Sequence, residues 1–410
     1  METQSTPCLR VSLRHAQTFR KCLQSRGALD LNFCLLKESD ETVLLPVVPS
    51  CLSQLDLQSL RNMVLSDSAC EIVWSQSPPQ SKKQRGRSTG NKLETILKEI
   101  LETHGERWSE ELSADLPHSF QRHGDLVLLG DNCFNLPDWK KIDHQLWRAV
   151  AKGLGAKRLA KMSRISSNGF RSPLVTILLG DHSWVKHVDN GIKYEFDVTK
   201  CMFSAGNITE KLRVAGFDCR GETVVDLYAG IGYFTLPYLV HAKAHHVHAC
   251  EWNPDAVEAL KKNLVSNRVP ERCTVHQGDN RQLLLCDVAD RVNLGLIPSS
   301  EEGWPVACRL LKRATGGILH IHQNVTSPFQ DKAAVPAIDD ATQRASGKRA
   351  DREVWQAWAS DTAKCISSLL KDINGATWTT NIHHIEHVKS YAPHIHHVVL
   401  DLECRPSFNI

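Results

Sequence analysis

The stretch Val224-Val225-Asp226-Leu227-Tyr228-Ala229-Gly230-Ile231-Gly232 constrains this chain more than any other. An apolar run ends in an acid, passes two glycines and continues into Tyr233 to Ala242, which reads as strand, turn and helix in succession. Glycines at such a turn let the backbone approach a ligand where a Cβ would clash. The spelling D-x-x-x-G-x-G lacks the third glycine of the dinucleotide fingerprint and carries an acid in the strand end. It therefore disfavours a nicotinamide dinucleotide and suits a ligand with an ammonium or sulfonium cation. A tight structural turn would account for the same glycines.

From about Gly206 the pattern alternates between strands and helices: VVDLYAG, YFTLPYLVHA, HVHACEW, PDAVEALKKNLVSN, CTVHQGD, RVNLGLI, WPVACRLLKRA, GGILHIHQ. Such alternation predicts a mainly parallel sheet with helices on both faces. Ala376 to His384 and His394 to Glu403 then read as an antiparallel pair closing that sheet. Polar residues recur at the predicted carboxyl ends, the edge where open α/β sheets bind ligands. Glu251 ends the second strand, where a carboxylate can accept from both hydroxyls of a ribose. Asp279 and Asn280 end the third, within reach of an adenine amino group. Asn293 to Ser300, with Pro298, ends the fourth, where this architecture meets its substrate, although a plain connection fits that loop as well.

With 410 residues, the chain exceeds what one core usually serves, about 250 to 300 residues. The spacing predicts a small N-terminal α/β unit over 1–75, a basic linker over 76–90 (QSPPQSKKQRGRSTG) and an α+β domain over 91–205, expected to present an RNA substrate, ahead of the domain at 206–410. Within the α+β domain, Trp139 to Leu154 reads as an amphipathic helix stopped by Gly153 and Gly155. Asp189-Asn190-Gly191 reads as a type I′ hairpin turn. The segment from about Gln323 to Arg352 reads as polar and irregular.

A net charge of +3 leaves no global field for a polyanion, so any nucleic-acid contact must be a local patch. Lys152, Lys157, Arg158, Lys161, Arg164 and Arg171, flanked by Trp147 and Phe170, form such a stretch without an acid among them, though a solvated basic face has the same composition. The 14 cysteines are scattered without a C-x-x-C pair, as expected of reduced thiols in a cytoplasmic protein. The 20 histidines sit mostly in predicted strands, where neighbours point to opposite faces and no ligand set completes itself, so no metal is expected. The N-terminus has no signal-like apolar core, and the most apolar stretch is too short to span a bilayer. The expectation is a soluble monomer.

Over roughly residues 91 to 405 the chain resembles the tRNA wybutosine-synthesizing protein 2 family. The segments that carry the likeness are YEFDVTKCMFSAGNITEKLR, VVDLYAGIGYFTLPYLV, CEWNPDAVEALKKNL, HQGDNR and HVKSYAPHIHHVVLDLE. The resemblance implies an α/β chain whose C-terminal domain has the class I S-adenosylmethionine-dependent methyltransferase (Rossmann-like) fold. It implies transfer of the cofactor's four-carbon 3-amino-3-carboxypropyl arm to the wyosine precursor at position 37 of phenylalanine tRNA, in the anticodon loop, releasing methylthioadenosine. It also implies cofactor contacts at Ser204, Lys211, Glu251, Asp279 and Asn280, with the turn Asp226 to Gly232 carrying Gly230. Ser204 and Lys211 would orient the arm, with Lys211 pinning a carboxylate. No residue stands out as the proton acceptor.

The methylating relatives carry N-x-R-L where this chain has Phe203-Ser204-Ala205-Gly206-Asn207, and N-L-P where it has NLGLIPSS. Both departures favour arm transfer. Two other readings remain: a tRNA guanine-37 methyltransferase using the same cofactor, and a non-catalytic RNA-binding protein that keeps a vestigial fold.

Overall fold

The computed structural model describes residues 5–39, 41–62, 70–76, 78–166, 169–327 and 340–407. Its internal contacts separate two units, residues 1–118 with 134–156, and residues 119–133 with 157–410. This grouping cuts across the sequential division at 91 and 205, because β-pairing joins 119–133 to strands beyond residue 157.

In the first unit, β1 (Ser5–Ser12), β2 (Leu36–Lys37), β3 (Thr42–Pro46) and β4 (Cys70–Gln76) form a sheet ordered β2-β3-β1-β4. The helices α1 (Ala16–Ser25) and α2 (Leu57–Arg61) also belong to it, and Phe19, Leu23 and Leu60 are buried in a core shared with Leu9, Val11 and Leu45. Asp56 caps α2 by accepting from the N–H groups of Gln58 and Ser59. Helix α3 runs Lys82–Thr103, so the expected linker over 76–90 becomes helical from Lys82. Lys, Arg and Gln are good helix formers. Next come α4 (Glu110–Ala114) and α5 (Asp143–Leu154). Gly155, with φ +63°, is the stop of α5. Gly153 is not part of the stop: it lies inside the helix, where a Cβ would come within 2.8 Å of Leu93, and it lets α3 and α5 approach.

In the second unit, β5 (Phe120–His123), β6 (Leu126–Leu129), β7 (Arg158–Ile165) and β8 (Pro173–Leu179) form one sheet. β9 (Trp184–Asp189) and β10 (Ile192–Asp197) form the expected hairpin, with Asn190 and Gly191 both at positive φ (48° and 74°). After α6 (Ile208–Ala215) the alternation begins: β11 (Thr223–Asp226), α7 (Thr235–Val240), β12 (His246–Glu251), α8 (Pro254–Ser266), β13 (Cys273–Gln277), β14 (Arg291–Leu294), α9 (Trp304–Leu310), β15 (Gly317–Thr326), α10 (Asp340–Asn374), β16 (Trp378–Ala392) and β17 (Ile395–Pro406). These strands make a seven-stranded sheet ordered β13-β12-β11-β14-β15-β17-β16, parallel except for β17, which pairs antiparallel with β15 and β16. That is the anticipated parallel sheet closed by an antiparallel pair.

Successive strand residues feed opposite cores. Val224, Val247 and Ala249 pack with Leu236 and Leu260 on one face, while Val225, Leu227 and Val292 pack with Ala307 and Ile366 on the other. The segment expected to be irregular from Gln323 is ordered at both ends, in β15 to Thr326 and in α10 from Asp340, and its part at 328–339 lies outside the described residues. The run Ala350 to Trp358 supplies strong helix formers that the polar composition concealed. Among the described residues there is no disulfide, and no helix is long and apolar enough to cross a membrane.

Candidate active site

Strand alternation turns Val224 and Asp226 to one face, and the chain then leaves the sheet through Leu227 to Gly232. Three bonds lock this loop to its neighbours: Leu227 N–H donates to Asn293 O (3.0 Å), Ala229 N–H to Cys250 O (3.0 Å), and Gly230 N–H to Glu251 Oε2 (2.8 Å). Glu251 accepts with its other oxygen from Asn253 N–H (2.8 Å). The next strand end joins through Asn280, whose Nδ2 donates to Leu227 O (2.7 Å), and through Gly278 N–H, which donates to Glu251 O (3.0 Å). The carboxyl ends of β11, β12 and β13 thus form one hydrogen-bonded rim.

A cavity of about 940 Å³ opens against that rim, the upper range for small-molecule sites. Gly230, Glu251, Asp279 and Asn280 line it, as do Ser204, Phe203, Tyr233, Phe234 and Lys389. Burial pushes the Glu251 carboxyl up from the ordinary value, whereas the Arg281 guanidinium beside Asp279 holds its carboxyl down. Gly230 keeps φ +54° with open space where a Cβ would stand. Gly232 has φ +99°, and a Cβ there would meet Leu236 and Leu260 at 3.1 Å, so this glycine serves packing. Gly232→Ala should lower stability by about 1 to 3 kcal/mol, read from a urea melt, because strain and overpacking add. An unchanged midpoint would contradict this.

Other anticipated contacts resolve differently. Asp226 does not reach the cavity: it is fully buried and accepts from Thr235 Oγ1 (2.8 Å) and Asn293 Nδ2 (2.9 Å). Burial raises its pKa, and its role is to pin the strand end to α7. Asn293 donates in the same bond, is fully buried and is not among the lining residues. Pro298 is not among the lining residues, although Ile297 and Ser299 are; its carbonyl accepts from Asn324 N–H (2.8 Å).

Lys211 is also absent from the lining. α6 aims it inward, where its ammonium pairs with Asp189 and sits about 5 Å from the rings of Tyr194, Phe203 and Tyr233. Burial lowers its pKa against the opposing pull of Asp189. A chain-local reading of α6 could not see that the β9–β10 hairpin supplies this acid.

The basic stretch is likewise divided. Lys152 and Trp147 lie on α5 in the first unit, and Trp147 packs edge-on against Phe134. Arg158 is buried, donating to Asp125 (2.6 Å) and to the carbonyls of His182 and Trp184 (2.9 Å each). Lys161 Nζ donates to Cys133 O (2.7 Å). Lys157 and Arg164 are exposed. Alternation along β7 scatters residues that composition had placed together. Arg171 Nη1 donates to Ile297 O (2.6 Å), and Phe170 meets the Trp252 ring edge-on at 5.8 Å; all four residues line the cavity.

Two lining residues escaped the sequence reading. The Tyr233 hydroxyl bonds both the N–H and the C=O of Ser204, fixing that loop. Lys389 lies in the segment HVKSYAPH, beyond the strand expected to end at His384; β16 in fact continues to Ala392 and carries it. Among the described residues, no group of three or more His, Cys, Asp or Glu is placed to hold a metal. Some histidines pair with one another, as in His322 with His397 (3.1 Å), both buried, and others with acids, as in His320 with Asp401 (2.7 Å).

Comparison with known proteins adds the following. Residues 185–348 match the model of the TRM5/TYW2 methyltransferase domain, and residues 9–84 and 97–183 match two models each described as a TYW2 N-terminal domain. The tRNA wybutosine-synthesizing protein 2 homolog of Danio rerio is 61% identical over 98% of this chain and 99% of its own length. That of Homo sapiens is 51% identical over 95% of this chain and 92% of its own. A crystal structure of P. horikoshii TYW2 in complex with MeSAdo is 28% identical, covers 77% of this chain and all of its own, and superposes with a TM-score of 0.56.

Proposed function

Because the chain belongs to the tRNA wybutosine-synthesizing protein 2 family, we propose that it moves the 3-amino-3-carboxypropyl arm of S-adenosylmethionine onto the wyosine precursor at position 37 of phenylalanine tRNA. The observation that carries this reading is the rim of Gly230, Glu251, Asp279 and Asn280 on a cavity at the carboxyl ends of three parallel strands. The donor set fits a nucleoside sulfonium. Glu251 has lone pairs left for ribose hydroxyls, Asp279 and Asn280 are short and polar, and apolar rings of Phe203, Tyr233 and Phe234 complete the wall.

When bound, the sulfonium supplies an arm carbon that bonds to a ring carbon of the base as the carbon–sulfur bond breaks, its electron pair leaving on the sulfur of methylthioadenosine while the base gives up one proton. This chain's residues do the positioning. Glu251 is itself held by two backbone N–H groups, so it presents a fixed acceptor. Tyr233 fixes the loop carrying Ser204. By holding the nucleoside and the loop in fixed places, these residues would decide which substituent of the sulfonium faces the base.

The exposed Lys157 and Arg164, with Phe170 and Trp252 lining the cavity, support a local RNA-facing surface in place of the continuous patch. Residues 1–118 and 134–156, which match the N-terminal family models in part, would contribute to holding the tRNA from outside the catalytic unit. A cytoplasmic monomer is the simplest form consistent with this work on one RNA.

Parallel incubations of precursor tRNA with arm-labelled and with methyl-labelled cofactor test the assignment. Arm label should enter the RNA, and methyl label should leave in methylthioadenosine. Methyl label in the RNA would instead make the chain a guanine-37 methyltransferase, and absence of both would leave an RNA-binding role.

A further inference from the structure

We propose that Lys389 is the residue that receives the carboxylate of the cofactor's amino acid arm, seated by Ser204 and Gly206. The proposal rests on the cofactor assignment above. Four side chains able to carry positive charge line the cavity: His123, Arg171, Arg281 and Lys389. Burial pushes the His123 imidazole down to about 4, so it is neutral. Arg171 is engaged by the carbonyl of Ile297, and Arg281 by Asp279 (2.7 Å) and Glu302 (3.0 Å).

Neither Arg171 nor Lys389 has a carboxylate partner among the described residues, but Arg171 makes a short bond to a backbone carbonyl and Lys389 has no such bond. Its one hydrogen bond among the described residues goes to the Ser204 hydroxyl, at a long 3.4 Å, and no carboxylate pairs with it. A half-buried ammonium without a counter-ion is costly, and its pKa is lowered by burial alone. An arriving carboxylate would remove that cost through a charge-assisted hydrogen bond. The arm carries one carboxylate, and Lys211, the residue anticipated for it, is already committed to Asp189.

The backbone is shaped for this placement. The ladder between β16 and β17 shifts register between His387 and Lys389 and again between Ser390 and Ala392, irregularities of the kind that re-aim a side chain. Gly206 supplies the space: a Cβ there would stand 2.7 Å from Lys389 Nζ and 3.3 Å from its Cδ. Gly206→Ala should therefore displace the ammonium, the movable end of a long side chain, without deleting its charge.

The test uses calorimetric titration of the full chain with three ligands: S-adenosylmethionine and S-adenosylhomocysteine, which carry the arm, and methylthioadenosine, which lacks it. Lys389→Met should weaken both arm-bearing ligands by about 10- to 100-fold and methylthioadenosine by less than about two-fold. Lys389→Arg should restore most of the loss, and Gly206→Ala should reproduce it in part with the same selectivity. Equal weakening of all three ligands by Lys389→Met would overturn the proposal in favour of a structural role. Unchanged affinities with lost turnover would overturn it in favour of proton chemistry. If wild type binds none of the three, it is the cofactor assignment itself that fails.

Discussion

Replacing Arg213 by methionine should cost about 3 to 5 kcal/mol of folding stability, the usual result of removing one partner from a buried ionic cluster. Its guanidinium donates to both oxygens of Glu210 (2.7 Å each) and to Asp401 Oδ1 (3.1 Å), and Asp401 bonds His320 Nδ1 at 2.7 Å. Glu210 and His320 are fully buried, so neither can turn to water when the cation goes. Methionine fills much of the volume and keeps contact with Phe217, over which the guanidinium lies at 5.0 Å, so the loss is chiefly one of charge.

The pH dependence gives a second signature of this cluster. Burial alone would raise the Asp401 carboxyl, but His320 and Arg213 hold it well below the carboxylate range. A depressed carboxylate contributes stability that is present above its unfolded pKa and lost as pH falls towards its folded one. Burial raises Glu210 even with Arg213 present, so removal of the cation raises it further, and protonation then relieves the orphaned charge. The deficit of Arg213→Met should thus be largest near neutral pH and shrink as the pH becomes mildly acidic. Urea unfolding followed by circular dichroism at both pH values measures it; a variant within about 1 kcal/mol of wild type at neutral pH would mean the cluster is not stabilising.

Glu251→Ala should weaken S-adenosylmethionine and methylthioadenosine alike, by about 100-fold or more. Two charge-assisted acceptor bonds to ribose disappear at about 1.5 kcal/mol or more apiece, and the Gly230 and Asn253 N–H groups lose their acceptor. Equal losses for ligands with and without the arm separate this residue from Lys389. Retention of affinity within about three-fold would remove Glu251 from the site.

The rim that lines the cavity was legible in advance because its logic is local. Gly230, Glu251, Asp279 and Asn280 each sit where a strand gives way to a turn, and parallel strands place all such ends on one edge. The hairpin at Asn190-Gly191 and the stop at Gly155 were readable for the same reason, since each is set by the backbone conformation of one or two residues.

Polar side chains with distant partners were not readable. Asp226 and Asn293 have the types and spacing of ligand contacts, yet they bond each other across two neighbouring strands. Lys211 meets Asp189, Arg158 meets Asp125, and Lys389 reaches Ser204 across 185 residues of chain. Periodicity and turn chemistry, which act over a few residues, determined the sheet, its order of strands and helices and the ligand-binding edge. Only tertiary packing decided which charges neutralise one another and which face the cavity without a carboxylate partner, because a buried ion takes its partner from whatever the fold brings within about 3 Å.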